Sequence, residues 1–248
     1  MLTCEIRARS ALDAATTTQM YALFERHYAA TTSSRFAQDL AAKDWVLLLR
    51  DVGGTLRGFS TLQVYQREHA ATRCRILFSG DTVIERDYWG EQELAFNWLR
   101  LAGRLHGEQP ELRHFWFLIS KGPRTFRYLP AFACRFYPSW SEASPPFEAS
   151  LIDQLAREHF GENFDPHSGV LRFAESRGHL RQPLAEISAR ELRLPAVRFF
   201  LARNPGYAHG DELCCLCELA PANLKPVGRR LFLKGMADAE REVPACSK

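Results

Sequence analysis

The sequence has few of the features that mark membrane, secreted or repeat proteins. Its most apolar runs, at residues 45–49 and 115–119, are strand-sized and fall far short of the ~18 residues of a membrane span. Charged residues between Glu5 and Asp13 occupy the place where a signal peptide needs an apolar core. No internal repeat is present. We therefore expect a cytoplasmic protein with no membrane span.

Several catalytic signatures are also absent. The sequence contains no phosphate-binding P-loop, dinucleotide fingerprint, nucleophile elbow or His-Glu-x-x-His run. Its formal charge is only +3 over 248 residues, which does not favour nucleic acid as a partner. With 46% hydrophobic and 25% charged residues, the composition is that of a folded globular protein.

Cysteine is scarce outside one cluster. Seven is an odd number for a disulfide framework, and only Cys214, Cys215 and Cys217 lie close together in sequence. On a strand, Cys214 would face away from the other two, and His209 is the nearest candidate for a fourth metal ligand. The pattern favours a buried strand without a metal. A metal site at these cysteines is the alternative.

Hydrophobic spacing predicts an α/β (α+β) fold. A first strand at residues 3–9 is followed by two helices, a hairpin whose turn spans residues 52–55, and a further strand at 75–85. An amphipathic helix, a buried strand at 112–119, a helical turn and a last strand at 135–140 follow. Residues 141–146 read as a linker, which predicts one domain at 1–140, an α+β extension at 147–236 and a mobile tail at 237–248.

This order of elements resembles the GNAT superfamily of acyl-CoA-dependent N-acyltransferases, over about residues 1–140. The resemblance implies a mixed, mostly antiparallel central sheet flanked by helices. It also implies transfer of an acyl group from a thioester, carried by CoA or by an acyl carrier protein, to an amine on a small molecule or another acceptor.

The family binds CoA with a loop after its fourth strand, where backbone N–H groups and a helix N-terminus hold the pyrophosphate. The corresponding stretch here is FSGDTVIERDYWGEQELAFNWL. The resemblance places Gly90, Glu91 and Gln92 at the phosphate end. It places the backbone of Thr82, Val83 and Ile84 alongside pantetheine. Asp87 and Gln92 depart from the family pattern, and Glu85, Asp87, Glu91 and Glu93 would surround the site with negative charge.

Two residues are candidates for acid–base chemistry. Tyr128 lies where the family has a Tyr that protonates the departing thiolate, flanked by Arg124 and Arg127 as candidate ligand-binding groups. Asp81 is an acid on an otherwise apolar strand and is the candidate base. The alternatives are a core role for Tyr128, and for Asp81 a carboxylate that accepts backbone N–H bonds in a bulge at residues 79–80.

Three functions follow from these features. The leading hypothesis is N-acyl transfer, with the extension walling an apolar channel for a specialised or long-chain acyl donor. The alternative is a non-catalytic GNAT-like module that has lost CoA binding and binds a protein partner. A third is an RNA-associated factor that uses the basic run ending with Arg229, Arg230 and Lys234, which lacks interleaved aromatic residues.

Overall fold

The computed structural model describes residues 2–182 and 184–242. The strands are β1 (Thr3–Ala8), β2 (Tyr28–Ala29), β3 (Trp45–Arg50), β4 (Leu56–His69), β5 (Thr72–Ile84), β6 (Arg113–Ser120), β7 (Phe164–Asp165), β8 (Val170–Leu171), β9 (His179–Leu180) and β10 (Glu212–Glu218). The α-helices are α1 (Ala14–His27), α2 (Ser33–Ala41), α3 (Glu93–Glu108), α4 (Pro123–Phe126), α5 (Tyr128–Phe132), α6 (Pro146–Phe160), α7 (Pro195–Arg203) and α8 (Pro226–Glu242).

Eight of these strands form one sheet in the order β1-β3-β4-β5-β6-β10-β8-β7, and β2 pairs with β9 separately. Only the β5–β6 pair is parallel. Helices α3 and α8 cover one face, while α1, α2 and α6 cover the other. The predicted α/β class, with a mixed and mostly antiparallel sheet flanked by helices, is confirmed. Among residues 2–182 and 184–242, no helix combines the length and the apolarity needed to cross a bilayer.

Local sequence explains the first half of the sheet. The turn between β3 and β4 is held by Asp51, whose Oδ1 accepts hydrogen bonds from the amides of Gly53 (2.9 Å) and Thr55 (3.0 Å). Gly54 adopts a positive φ of 79° there, which glycine allows at little cost. The hairpin predicted from this turn is confirmed.

The Cys-rich strand is β10, and it lies antiparallel beside β6. Its cysteines are buried, with Cys214 on the α6 face of the sheet and Cys215 and Cys217 on the opposite face. Each replaces a small apolar residue in the core, as the sequence predicts. The extension therefore supplies a central strand of the sheet. That the extension at 147–236 is a domain separate from residues 1–140 stays a prediction.

The sequence predicts a last strand of the first domain at residues 135–140, and this prediction is wrong. Only Tyr137 pairs there, in an isolated bridge with Leu216. The physical reason is Pro138, which has no N–H to donate and interrupts a ladder. The position beside β6 is taken instead by β10, whose amides are uninterrupted.

Helix α8 is longer than the sequence predicts. Residues 237–242, which were expected to belong to a mobile tail, continue the helix, because Ala239 is buried and Asp238 accepts a hydrogen bond from Arg100 (3.1 Å). Residues 243–248, with Cys246, lie outside the described residues.

Helices α3 and α8 meet at glycines on both sides. A Cβ atom on Gly103 would overlap the carbonyl oxygen of Phe232, and one on Gly235 would overlap that of Arg100. Because both obstacles are backbone atoms, a rotamer change cannot relieve them.

We expect Gly103→Ala to lower the free energy of unfolding by roughly 2–4 kcal/mol, although alanine is the better helix former. Urea denaturation measures the change. Gly228→Ala is the matched control, since its Cβ would approach no atom closer than 3.3 Å. Equal stability of the Gly103→Ala variant and the wild type would contradict the close approach.

A half-buried histidine, His106, and a buried one, His114, stack beneath this interface. The rings of His106 and His114 lie 4.4 Å apart, and His106 Nδ1 and His114 Nε2 are buried without a hydrogen bond to any described residue. Burial lowers the pKa of both, that of His114 to about 4, and the like charge of His106 adds to the effect.

Because the unfolded chain binds protons at these sites more tightly than the native chain, stability should fall as pH decreases from about 6.5 to about 4. The loss from His114 is on the order of 3 kcal/mol. Comparing the pH dependence of unfolding in the wild type and His114→Phe tests this, since the variant should have a shallower slope. The exposed His167→Asn should keep the wild-type slope.

Candidate functional site

The site is opened by the separation of the two parallel strands. Pairing between β5 and β6 ends at Ser79 and Leu118. Beyond that point β5 stays paired with β4 as far as Ile84, while the end of β6 pairs with β10. The last residues of β5 therefore have one edge with unpaired backbone groups facing the gap.

A bulge in β5 lies where the strands separate. Ser60 and Leu62 of β4 face Thr82 and Ser79, so Gly80 and Asp81 together stand opposite a single residue. A Cβ on Gly80 would come within 2.5 Å of the Thr61 hydroxyl oxygen. Glycine is therefore required at this bend, which aims the end of β5 away from β6.

A cavity of about 720 Å³ fills the gap. Its walls come from the end of α1 and β2, the end of β5 with the turn after it, α4 and α5, and the extension between β9 and α7. The structure brings together most of the site residues predicted from the sequence: Thr82, Val83, Ile84, Gly90, Gln92, Arg124, Arg127 and Tyr128. Asp81 and Glu91 do not line it.

The turn before α3 forms one end of the cavity. Gly90 is exposed with φ of 103°, and nothing lies within 4 Å of the position its Cβ would take. Gln92 donates from Nε2 to the Gly90 carbonyl (2.8 Å) instead of capping the helix, and α3 has no side-chain N-cap. The first amides of this helix therefore keep the positive potential of an uncapped N-terminus.

The acids around this turn differ in how far their charge is compensated. Glu85 forms ion pairs with Arg26 (2.6 Å) and Arg57 (2.8 Å), so its expected repulsion of a phosphate is largely cancelled. Asp87 and Glu91 are exposed. Of the four acids predicted to surround the phosphate site, Glu85, at the end of β5, therefore contributes little negative charge.

Tyr128 begins α5 and lines both the cavity and a smaller chamber of about 40 Å³ behind it. Its ring stacks on Phe132 with an interplanar angle of 7°. No hydrogen bond joins its hydroxyl to a residue of the described ranges. Burial raises the pKa of Tyr128, so the phenol keeps its proton at neutral pH.

The small chamber is almost entirely apolar. It lies against α3, with Trp98 and Trp116 4.5 Å apart at its base. Three of the hydroxyl groups that line it are bonded, because Ser79 Oγ accepts from Trp116 Nε1 (2.8 Å) and Ser60 bonds Thr82 (2.8 Å), while Trp98 Nε1 is buried without a partner among the described residues. The chamber can thus hold an apolar group of small size.

Asp81 is held in a charged cluster outside the cavity lining. Burial raises its pKa, and the ammonium groups of Lys121 and Lys43 act in the opposite direction. Its charge also raises the pKa of Tyr28, which does line the cavity. The bulge expected at this position is present, but no described backbone N–H donates to the carboxylate.

Sequence reasoning missed the roof of the cavity. His27 and Tyr28 line it, as do Leu180, Leu184 and Ala196 of the extension. Two-residue strands β2 and β9 join these segments, and such short pairs leave no periodicity in the sequence.

Arg124 and Arg127, predicted together as ligand-binding residues, differ in their contacts. Arg124 donates to the carbonyl oxygens of Leu184 (2.6 Å) and Glu186 (2.9 Å) and pairs with Glu191 (3.0 Å). Arg127 is exposed and forms no hydrogen bond or ion pair with a residue of the described ranges through its side chain. Arg124 therefore fixes the extension, and Arg127 is available to a ligand.

We expect Arg124→Gln to loosen the segment at residues 184–194, because two carbonyl groups and one carboxylate lose their donor. Hydrogen–deuterium exchange should show at least several-fold faster exchange there. Arg127→Gln is the matched control and should leave exchange in this segment unchanged. Equal exchange in both variants would show that Arg124 does not brace the loop.

No protein-family model matches the sequence. No curated protein matches it either. Solved structures with partial similarity are N-acyltransferases by name. A probable N-acyltransferase from Enterococcus faecalis overlaps with a TM-score of 0.40 at 13% identity, over 54% of this chain but only 33% of that one.

Two further structures are similar to the same extent. The Escherichia coli GNAT family N-acetyltransferase YhbS, in complex with CoA, has a TM-score of 0.37 at 14% identity over 53% of this chain and 69% of that chain. Arabidopsis thaliana NAA60, with a bisubstrate analogue, has a TM-score of 0.38 at 12% identity over 54% and 86%. These overlaps cover only part of each chain. The fold itself is defined by the strand order of the sheet and by the separation of β5 from β6. The similarity to these N-acyltransferase structures covers about half of this chain.

Proposed function

We propose that this chain transfers an acyl group from a phosphopantetheine thioester, carried by CoA or by an acyl carrier protein, to an amine. The observation that carries the proposal is the position of Tyr128. Tyr128 lines both the cavity and the apolar chamber, and its hydroxyl has no hydrogen bond to a described residue.

The donor would lie along the free edge of β5. No described strand pairs with the gap-facing edge of Thr82, Val83 and Ile84, whose backbone suits the amides of pantetheine except at the Ile84 carbonyl, which accepts from Trp89 Nε1 (2.9 Å). The phosphate end would lie against Gly90 and Gln92 at the uncapped start of α3. Arg127 offers a cation at the cavity wall for the same phosphates.

The reaction would be a direct transfer. The unprotonated amine nitrogen forms a bond to the thioester carbonyl carbon and releases a proton to solvent, and the C–S bond breaks. Tyr128 gives its proton to the departing thiolate and is reprotonated from solvent. A phenol whose pKa is raised by burial holds the proton until the thiolate forms.

The wall built by the extension supports an apolar acyl group longer than acetyl. Leu180, Leu184 and Ala196 face the cavity, and together they give it an apolar side. The small chamber alone would hold only a few carbon atoms, so the longer chain would run along the extension.

The test is thioester cleavage with a panel of donors, from acetyl-CoA to dodecanoyl-CoA, and primary amines as acceptors. We expect Tyr128→Phe to lower kcat by about 10²-fold or more, with a small change in KM, because the acid acts only as the thiolate leaves. Tyr21→Phe is the matched control, since Tyr21 lies against Phe36 away from the cavity. Equal kcat for wild type and Tyr128→Phe would remove the assigned acid.

A non-catalytic protein-binding module is the second candidate. The observation that favours it is the exposure of Asp87 and Glu91 beside the phosphate end, because negative charge there opposes a pyrophosphate. Native mass spectrometry with added CoA, acetyl-CoA and dodecanoyl-CoA separates the two. A bound CoA species supports acyl transfer. No binding by any of them, together with a stoichiometric co-purified protein, supports the module.

A further inference from the structure

His27 is the last residue of α1 and lies at the roof of the cavity. Its side chain is only 9% exposed, yet it is part of the cavity lining. Buried imidazoles are usually bonded at both nitrogens or placed in the core. His27 is bonded at one nitrogen only, and it belongs to the wall facing the end of β5.

The bonded nitrogen fixes the state of the other. His27 Nδ1 lies 2.9 Å from the carbonyl oxygen of Leu23, and a carbonyl oxygen can only accept. Nδ1 therefore carries the proton, and in the neutral ring Nε2 has the lone pair. No described residue donates to Nε2, so it is the nitrogen that a ligand in the cavity can reach.

The backbone that carries the imidazole is also held from the side of the extension. The amide of Arg181 donates to the His27 carbonyl oxygen (2.9 Å), and Arg181 Nε donates to that of Glu25 (2.8 Å). The next residue, Tyr28, pairs with Leu180 of β9. These contacts fix the end of α1, so the ring has a set position relative to the cavity.

The predicted base, Asp81, lacks this access. It lies outside the cavity lining with Lys43 and Lys121 acting on it. Tyr28, which does line the cavity, is a weak base because its raised pKa keeps it protonated. Arg124 and Glu191 are engaged with each other.

We propose that His27 is the general base of the transfer, with Nε2 taking a proton from the ammonium form of the acceptor, which frees the nitrogen to bond to the thioester carbonyl carbon. Tyr128 supplies a proton to the thiolate that leaves. The inference rests on the proposed function. It restricts the acceptor to an amine that can place its nitrogen on the side of the cavity formed by His27 and Tyr28.

The test compares His27→Asn with wild type. The Asn amide can still donate to the Leu23 carbonyl, so the helix end keeps its bond while the base is lost. With butylamine as acceptor and dodecanoyl-CoA as donor, we expect kcat to fall about 100-fold or more. With hydroxylamine, which is largely unprotonated at neutral pH, the loss should be below 10-fold. A purely structural role would lower both rates equally.

Two other variants complete the comparison. His167→Asn is the matched control, because His167 is exposed in a turn far from the cavity lining. Asp81→Asn should lose less activity toward butylamine than His27→Asn. The opposite order, or equal loss with both acceptors in His27→Asn, overturns the assignment of His27.

A second measurement does not depend on turnover. Nitrogen-15 NMR of the histidine rings in the free protein should show His27 protonated at Nδ1 and free at Nε2, and an Nε2-protonated ring overturns the proposal. Failure of the underlying function has a different signature. If wild type turns over no donor with either nucleophile, the acyltransferase proposal falls and the base with it. If His27→Asn has the same rate as the wild type, only the assignment of His27 as the base is overturned.

Discussion

The separation of β5 from β6 is the constraint on which the site depends. A parallel pair held together over its full length would close the gap and bury the edge of β5 in hydrogen bonds. Here the pairing ends at Ser79 and Leu118, where β5 has a bulge at Gly80 and Asp81, while β6 stays paired with β10 and β5 stays paired with β4. The cavity, the free backbone edge and the exposure of Tyr128 all follow from this separation.

Charged groups around the gap are largely used to hold the walls together. Glu85 links Arg26 to Arg57, Lys121 pairs with Glu212, and Arg124 holds the loop that carries Glu191. Buried and half-buried ions of this kind cost desolvation, and they are stable only when paired. Three groups of the cavity wall have no partner among the described residues, namely the Tyr128 hydroxyl, His27 Nε2 and the Arg127 guanidinium, and these are the groups that a ligand can reach.

Much of the fold and part of the site could be predicted from the sequence. The hairpin at Asp51, helix α3 and the buried strands have strong local signals, and Thr82, Gly90 and Tyr128, which were chosen from the family resemblance, line one cavity. The remaining features depend on partners distant in sequence. Nothing local to residues 135–140 shows that β10 takes the place beside β6, and nothing local to Arg124 shows that its guanidinium meets residues 184–191.

The place of β10 in the sheet has a consequence for synthesis. When residues 1–140 have left the ribosome, one side of β6 has no neighbour and the glycine-lined face of α3 has no cover. Both wait for about 80 to 100 further residues, since the strand lies at Glu212–Glu218 and the helix at Pro226–Glu242. Contacts so far apart in sequence form late and slowly, and an open strand edge can pair with another chain. During synthesis, the interval before β10 and α8 emerge is therefore the one in which this chain is most prone to aggregate and a chaperone would help it most.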